Sequence, residues 1–97
     1  MGKRVLIAAR DLFFRSKLNG VVQAAGADVT RDPPCDIAVV ELGGADAAQR
    51  IQDLVQLGVS VLAFGSHVNA DDLRAARALG ARAVPNSEIE TALRALL

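Results

Sequence analysis

The sequence has one cysteine, one histidine and three aromatic residues in 97 positions, and it carries no excess charge of either sign. A lone cysteine, Cys35, cannot form a disulfide within the chain and supplies too few ligands for a cysteine-based metal site. The eleven basic residues are balanced by eleven acidic ones, which disfavours the basic surface of nucleic-acid-binding domains. The composition therefore predicts neither a cysteine-based metal site nor a nucleic-acid partner.

Long apolar runs are also missing. No run approaches the roughly 20 residues that a membrane-spanning helix needs, and residues 1–4 lead into the first apolar stretch without a signal-peptide cleavage pattern. We therefore expect a cytoplasmic protein with no membrane partner. What the sequence does contain is abundant Val, Leu, Ile and Ala within a 52% hydrophobic composition, which is typical of one α/β domain spanning residues 1–97.

Five stretches have the pattern of β-strands. Continuous apolar runs at residues 5–9 and 37–40 are typical of strands that are covered on both faces, and residues 59–64 predict a further strand. Residues 27–30 predict a short strand at a sheet edge, and residues 83–84 predict a brief last strand. Helical spacing of apolar residues fills most of the intervals, so we expect a parallel sheet with helices on both faces.

The interval between the second and third strands is an exception. Residues 31–35 are too few for a crossover helix, and Pro33 and Pro34 favour an extended path. Either a bare extended segment crosses the sheet, or the second strand is rudimentary or not parallel.

Three helix starts carry capping signals. Asp11 precedes the first helix and can accept hydrogen bonds from its exposed N–H groups. Asn69 with Asp72, and Ser87 with Glu90, have the three-residue spacing of a capping box. The sequence therefore predicts side-chain caps at all three positions.

The order of these elements, the stretch Asp-Ile-Ala-Val-Val-Glu-Leu at 36–42 and Gly-Ala at 80–81 together resemble a response-regulator receiver domain. Residues 10–17 and 63–68 are similar to stretches of a set of short receiver-like proteins. The resemblance covers the whole chain except for the missing second helix. It implies a three-layer α/β/α, flavodoxin-like fold with strand order 2-1-3-4-5. Its active face would lie at the carboxyl ends of strands one, three, four and five.

The residues that carry phosphotransfer in receiver domains are replaced here. The family places an acidic pair after strand one, an acceptor aspartate in strand three, a hydroxyl residue at the end of strand four and a lysine at the end of strand five. The corresponding positions hold Ala9 and Arg10, Glu41, Gly65, and a residue near Asn86 or Ser87. Asp11 and Ser66 fall one place late. One carboxylate beside an arginine is a poor site for Mg²⁺, which prefers several hard oxygen ligands. The resemblance therefore implies a pseudo-receiver without the phosphoacceptor aspartate, with no catalytic residues, metal or cofactor.

Glu41 has two interpretations. As a permanent negative charge at the acceptor position, it would mimic the phosphorylated state and hold the domain in one conformation. Alternatively, it is a carboxylate that is hydrogen-bonded or paired with Arg10 at the end of its strand, with no signalling role. The sequence leaves both open.

The turn that begins at Gly65 is the second candidate feature. Ser66 and Asn69 offer hydrogen bonds, and the N–H groups of the following helix can receive an anion; the turn can equally cap itself. Arg15 near the start of the first helix opposes the helix dipole, which an anion shared with this turn would explain, although a solvated helix face is the simpler interpretation. The candidate anion or partner site comprises Asp11, Arg15, Ser16, Glu41, Gly65, Ser66, His67 and Ser87.

Ser66, His67 and Asp11 also invite comparison with a hydrolase triad. Adjacent residues on a turn usually point apart, and the nucleophile elbow Gly-x-Ser-x-Gly is missing around Ser66. We therefore predict that the protein is not an enzyme.

The leading hypothesis is a non-catalytic, receiver-like signalling or protein-interaction module that acts without aspartyl phosphorylation. The alternative is a sensor of a small anion or nucleotide at the carboxyl edge of the sheet. A protein partner is expected, and Phe13, which lies outside the inward stripe of its helix, is either packed under a loop or exposed as a contact point. Mixed charges around strands four and five fit either a homodimer interface or an ordinary surface: Arg74, Arg77, Arg82, Glu88 and Glu90.

Overall fold

The computed structural model describes residues 2–97, and its five strands form one parallel sheet in the order β2-β1-β3-β4-β5. The strands are β1 (Arg4–Ala8), β2 (Asp28–Thr30), β3 (Ile37–Glu41), β4 (Ser60–Gly65) and β5 (Arg82–Pro85). The helices are α1 (Leu12–Ala24), α2 (Ala47–Gln56), α3 (Ala70–Ala78) and α4 (Ile89–Leu96). The predicted three-layer fold and strand order are confirmed.

Apolar side chains on the two faces of the sheet form two separate cores, because successive residues of a strand point in opposite directions. On one face, Val39 and Leu62 are fully buried and belong to a cluster with residues of α1 and α4. On the other face, Val40 and Ala63 belong to a cluster with residues of α2 and α3. The continuous apolar runs predicted from the sequence are therefore strands with helices on both sides.

The connection between β2 and β3 contains no helix, as the sequence predicted. β2 is nonetheless parallel and pairs with β1 over three residues, ending where Leu6 lies opposite Thr30. A bare segment with a cis peptide bond between Pro33 and Pro34 then leads to β3 on the other side of β1. Asp36 fixes the end of this segment, because its carboxylate accepts a hydrogen bond from the Arg4 N–H at 2.8 Å.

The helix starts confirm one of the three predicted caps. Oδ1 of Asp11 accepts hydrogen bonds from the N–H groups of Phe13 (2.9 Å) and Phe14 (3.2 Å). The predicted capping box at Asn69 and Asp72 is wrong, since the Asn69 side chain makes no capping hydrogen bond. The N–H of Asp72 instead donates to the backbone carbonyl of Asn69 at 3.1 Å.

The predicted capping box at Ser87 is also wrong. Ser87 lies inside a 3-10 turn, Asn86–Glu88, and α4 begins only at Ile89. Tight i→i+3 bonding in such a turn satisfies donors that a side-chain cap would otherwise serve. Glu90, the other member of the predicted box, forms an ion pair with Lys17 of α1 at 2.9 Å.

Candidate functional site

The carboxyl ends of β1, β3, β4 and β5 meet at one edge of the sheet because the strands are parallel. Glu41 ends β3 and lies opposite Phe64, while Gly65 ends β4 and lies opposite Pro85. The eight candidate residues therefore occupy the ends of these strands or the turns and helix starts that follow them.

Glu41 joins the end of β3 to the loop that follows β1. Its Oε1 atom accepts hydrogen bonds from the backbone N–H groups of Arg10 (2.7 Å) and Asp11 (3.1 Å). Its Oε2 atom lies 4.0 Å from Nη2 of Arg10, which also donates to the carbonyl of Leu42 at 3.3 Å. Of the two interpretations of Glu41, the structure shows the hydrogen-bonded environment that the second describes.

Asp11 and Arg15 both stabilise the turn from β1 into α1. The Asp11 carboxylate is engaged with the first N–H groups of the helix. The Arg15 guanidinium turns back along the chain, and its Nε and Nη2 atoms donate to the carbonyl of Ala9 at 3.2 and 2.9 Å. This contact explains why a cation is accommodated near a helix N-terminus, where the dipole is unfavourable to it.

The turn after β4 is closed by hydrogen bonds among its own residues. Oγ of Ser66 accepts a hydrogen bond from the N–H of Val68 at 3.3 Å, and the Ser66 carbonyl accepts one from the N–H of Asn69 at 3.0 Å. Gly65 is closely packed, because a Cβ atom there would lie 3.3 Å from Cβ of Leu42. His67 is exposed beside this turn. These contacts close the turn before α3 begins at Ala70.

A cavity of about 280 Å³ brings Arg15 and Glu41 together at the edge of the sheet. The other charged residues of its lining are Arg10, which the sequence already placed beside Glu41, and Asp46 and Arg50, which were not among the predicted residues. The other six predicted residues do not line it: Asp11, Ser16, Gly65, Ser66, His67 and Ser87. The predicted set is therefore divided between this cavity, the start of α1, the turn after β4 and the 3-10 turn before α4.

The Arg10 side chain lies against the loop after β3, beside Gly44. A Cβ atom on Gly44 would be 3.4 Å from Cζ of Arg10 and 3.5 Å from Oδ1 of Asp46. Both distances are ordinary van der Waals contacts, so a larger residue at this position would still leave room for Arg10.

Cys35 lies at the entrance of β3 and is partly buried. Burial raises the pKa of its thiol, and the nearby Asp36 carboxylate raises it further, with a smaller opposing effect from Arg4. A thiol whose pKa is raised is a poor nucleophile at neutral pH. This environment favours the prediction of a boundary residue over that of a reactive thiol.

No three His, Cys, Asp or Glu side chains within residues 2–97 are grouped so that they could hold a metal ion. Within the same residues, every helix is too short or too polar to cross a membrane.

The sequence matches no protein-family model and no curated protein. The structure, by contrast, is similar to solved receiver domains. The BeF3-activated DrrB receiver domain superposes with a TM-score of 0.83 at 12% identity, over 99% of this chain and 94% of that one. A response regulator from Thermotoga maritima superposes with a TM-score of 0.79 at 12% identity, over 99% of this chain and 94% of that one. A CheY-like protein, TadZ, from Pseudomonas aeruginosa superposes with a TM-score of 0.77 at 16% identity, over 98% of this chain and 96% of that one. At these identities the similarity establishes the fold, which is that of CheY-like receiver domains.

Proposed function

We propose that this chain is a cytoplasmic pseudo-receiver, a signalling module that acts through protein contacts and without aspartyl phosphorylation. The single observation that carries the proposal is the environment of Glu41 at the end of β3. In the receiver resemblance this is the position of the acceptor aspartate. Here the carboxylate forms structural hydrogen bonds instead of standing open to a phosphoryl donor.

The hydrogen bonds of Glu41 oppose a nucleophilic role. Its Oε1 atom accepts from two backbone N–H groups, and hydrogen bonds to a charged group are stronger than those between neutral groups. Attack on a phosphoryl group by Oε1 would require these bonds to break, and the other oxygen, Oε2, lies 4.0 Å from the Arg10 guanidinium. The longer side chain of glutamate also displaces the oxygens from the place an aspartate would give them.

The positive charge of Arg10 opposes the binding of Mg²⁺ at this site. Arg10 occupies a position where the family has an acidic residue, and its guanidinium lies 4.0 Å from Oε2 of Glu41. A fixed positive charge there repels a divalent cation, because like charges at such distances interact unfavourably. The neutral or acidic surroundings that Mg²⁺ requires are replaced by a cation–carboxylate pair.

Exposed apolar side chains at the same edge support a protein partner. Leu12 and Phe13 begin α1 and are 72% and 66% exposed, and Val68 in the turn after β4 is 76% exposed. Large apolar residues are usually covered, so their concentration at one edge favours a contact surface. Phe13, for which the sequence left two interpretations, is exposed, and Nζ of Lys17 lies 5.0 Å from the centre of its ring.

Incubation with acetyl phosphate and Mg²⁺, followed by intact-mass spectrometry, tests this proposal. We expect no phosphorylated species, while a phosphorylatable receiver domain treated in parallel gains one phosphoryl group. Glu41→Asp is the informative variant, because it restores the family's acceptor but leaves Arg10 in place; we expect it to stay unmodified as well. Stoichiometric acyl phosphate on Glu41 would overturn the proposal.

The alternative function, a sensor of a small anion or nucleotide, is favoured by the cavity that Arg15 and Glu41 share. The notable property of this cavity is its three arginines, of which only Arg15 was among the predicted residues. A homodimer through the charged face of β4 and β5 stays a further proposal, and sedimentation velocity over a range of protein concentrations tests it.

A further inference from the structure

The short β2 and the missing crossover helix leave a gap beside β1. Pairing between the two strands ends at Thr30, opposite Leu6, whereas β1 continues to Ala8. A cavity of about 490 Å³ occupies this gap, with lining residues from α1, β1, β2, the segment after β2, and α2. It adjoins the 280 Å³ cavity beside Glu41, since Ile7, Arg15 and Arg50 line both.

The lining of the larger cavity is positively charged. It includes Arg15, Arg31 and Arg50, and none of its lining residues among the described ones is an aspartate or glutamate. Arg15 donates to the neutral carbonyl of Ala9, so its charge is not balanced by that contact. Arg50 pairs with Asp46 at 3.3 Å in an exposed i,i+4 pair. Arg31 lies in the segment after β2 and is exposed.

Asn19 of α1 adds an unsatisfied polar group to the same cavity. It is among the lining residues, and its Oδ1 atom is buried without a hydrogen-bond partner within residues 2–97. Buried polar atoms in folded proteins are nearly always satisfied. A hydroxyl group of a ligand would satisfy this oxygen, and rotation of the amide would present its NH₂ group to an anion.

The size and the remaining lining define the class of ligand. Guanidinium groups match the oxygens of phosphate through paired, charge-assisted hydrogen bonds. The volume falls in the range of small-molecule sites, about 300–1,000 Å³, and is larger than a bare anion fills. Leu6, Ile7 and Val29 supply an apolar part of the wall. We propose that the cavity binds a phosphate dianion, held by Arg15, Arg31 and Arg50, either free or as the end group of a small organic molecule.

This binding would be non-covalent and needs neither a phosphoryl donor nor Mg²⁺. It is therefore independent of the phosphorylation test above, and either proposal can fail alone. It gives the alternative sensor function a location on the β2 side of the carboxyl edge, away from the turn at Gly65.

Thermal-shift titration with inorganic phosphate, glycerol 3-phosphate and adenosine monophosphate tests the proposal, with glycerol and acetate as controls at matched ionic strength. A ligand that binds only the folded state raises Tm with the logarithm of its concentration. Inorganic phosphate acting as well as the esters would identify free phosphate as the ligand; stronger effects of either ester would identify an organic phosphate. Each of these two outcomes supports the site.

Arg31→Ala and Arg50→Ala locate the site, because neither side chain is needed to hold the β1–α1 turn together. Loss of one charged donor should weaken phosphate binding by roughly tenfold to hundredfold. Arg74→Ala is the matched control: it removes the same charge and an exposed helical ion pair with Asp71, but α3 contributes no residue to the cavity. The proposal would be overturned if no phosphate compound raised Tm. It would also be overturned if Arg31→Ala, Arg50→Ala and Arg74→Ala lost phosphate affinity to the same extent.

Discussion

The carboxylate of Glu41 accepts the backbone N–H of Arg10 at 2.7 Å, so the side chain that ends β3 holds the loop that follows β1. The contact joins the end of β3 to the turn that leads into α1, at the carboxyl edge of the sheet. Its energetic contribution can be measured without knowledge of any partner.

Replacement of Glu41 tests this structural role. Glu41→Ala leaves the N–H groups of Arg10 and Asp11 without their acceptor, whereas Glu41→Gln keeps an amide oxygen that can still accept. Since these N–H groups are near solvent, water can partly replace the carboxylate, and we expect Glu41→Ala to cost about 1 kcal/mol. Glu41→Gln should cost less. Urea unfolding monitored by circular dichroism measures both, and equal losses would contradict the hydrogen-bonding role.

Asp11 and Asn69 provide a comparison between two helix starts. Asp11→Ala removes two hydrogen bonds to the first turn of α1 and should lower the free energy of unfolding by about 1 kcal/mol. Asn69→Ala should lower it by much less, because the Asn69 side chain makes no capping bond. Asp11→Asn, which retains an accepting oxygen, is the control. A larger loss for Asn69→Ala than for Asp11→Ala would show that the predicted capping box forms in solution.

The fold could be predicted further than the site because strands and helices depend on repeated patterns. Runs such as residues 37–40 specify a strand buried on both faces, whatever the details of its neighbours. The wrong cap at Ser87 shows the limit of such patterns. Its spacing from Glu90 fits a capping box, but Glu90 pairs with Lys17 of another helix. Local spacing contains no information about that tertiary contact.

The candidate site was predicted only in part for a related reason. Asp11, Arg15 and Glu41 follow strand ends, so their common edge can be deduced from a parallel sheet. Arg31 and Arg50 lie in a loop and in a helix that are distant in sequence, and both line the cavity beside the short β2. A sequence pattern that identifies the missing helix does not by itself show which side chains line the gap.

Replacement by alanine is predicted to lower the stability of the protein at Gly65 and to raise it at Gly20. A Cβ atom at buried Gly65 would press against Leu42 at 3.3 Å, and overpacking of this kind costs about 1–3 kcal/mol. Gly20 lies within α1 with nothing within 4 Å of its Cβ position, so alanine there should stabilise the helix by about 0.8–1 kcal/mol. Thermal unfolding of the two variants measures the difference. An unchanged Tm for Gly65→Ala would show that Leu42 moves aside.

Cys35 is predicted to make the free energy of unfolding depend on pH in the alkaline range. Its thiol pKa is raised in the folded state above the ordinary value of 9.0, so the unfolded chain ionises first as the pH rises. The contribution of Cys35 to the free energy of unfolding is therefore complete below about pH 9 and is lost above it. The difference in stability between the native protein and Cys35→Ala, measured by urea unfolding from pH 7 to 10.5, isolates this effect from other titrating groups. A difference that is constant across this range would contradict the raised pKa.

Phe13 and Phe14 are neighbours in sequence with different predicted roles. The Phe14 ring packs against fully buried Phe64 with centroids 5.3 Å apart, so Phe14→Ala should destabilise the fold by about 3 kcal/mol, near the lower end for buried phenylalanines. Phe13 is 66% exposed, and Phe13→Ala should change the free energy of unfolding by less than about 0.5 kcal/mol. Denaturant unfolding compares them, with Leu57→Ala, another exposed apolar residue far along the chain, as a control. If Phe13→Ala lowered the free energy of unfolding nearly as much as Phe14→Ala, the Phe13 ring would be part of the core. It could then not belong to the proposed contact surface at the carboxyl edge.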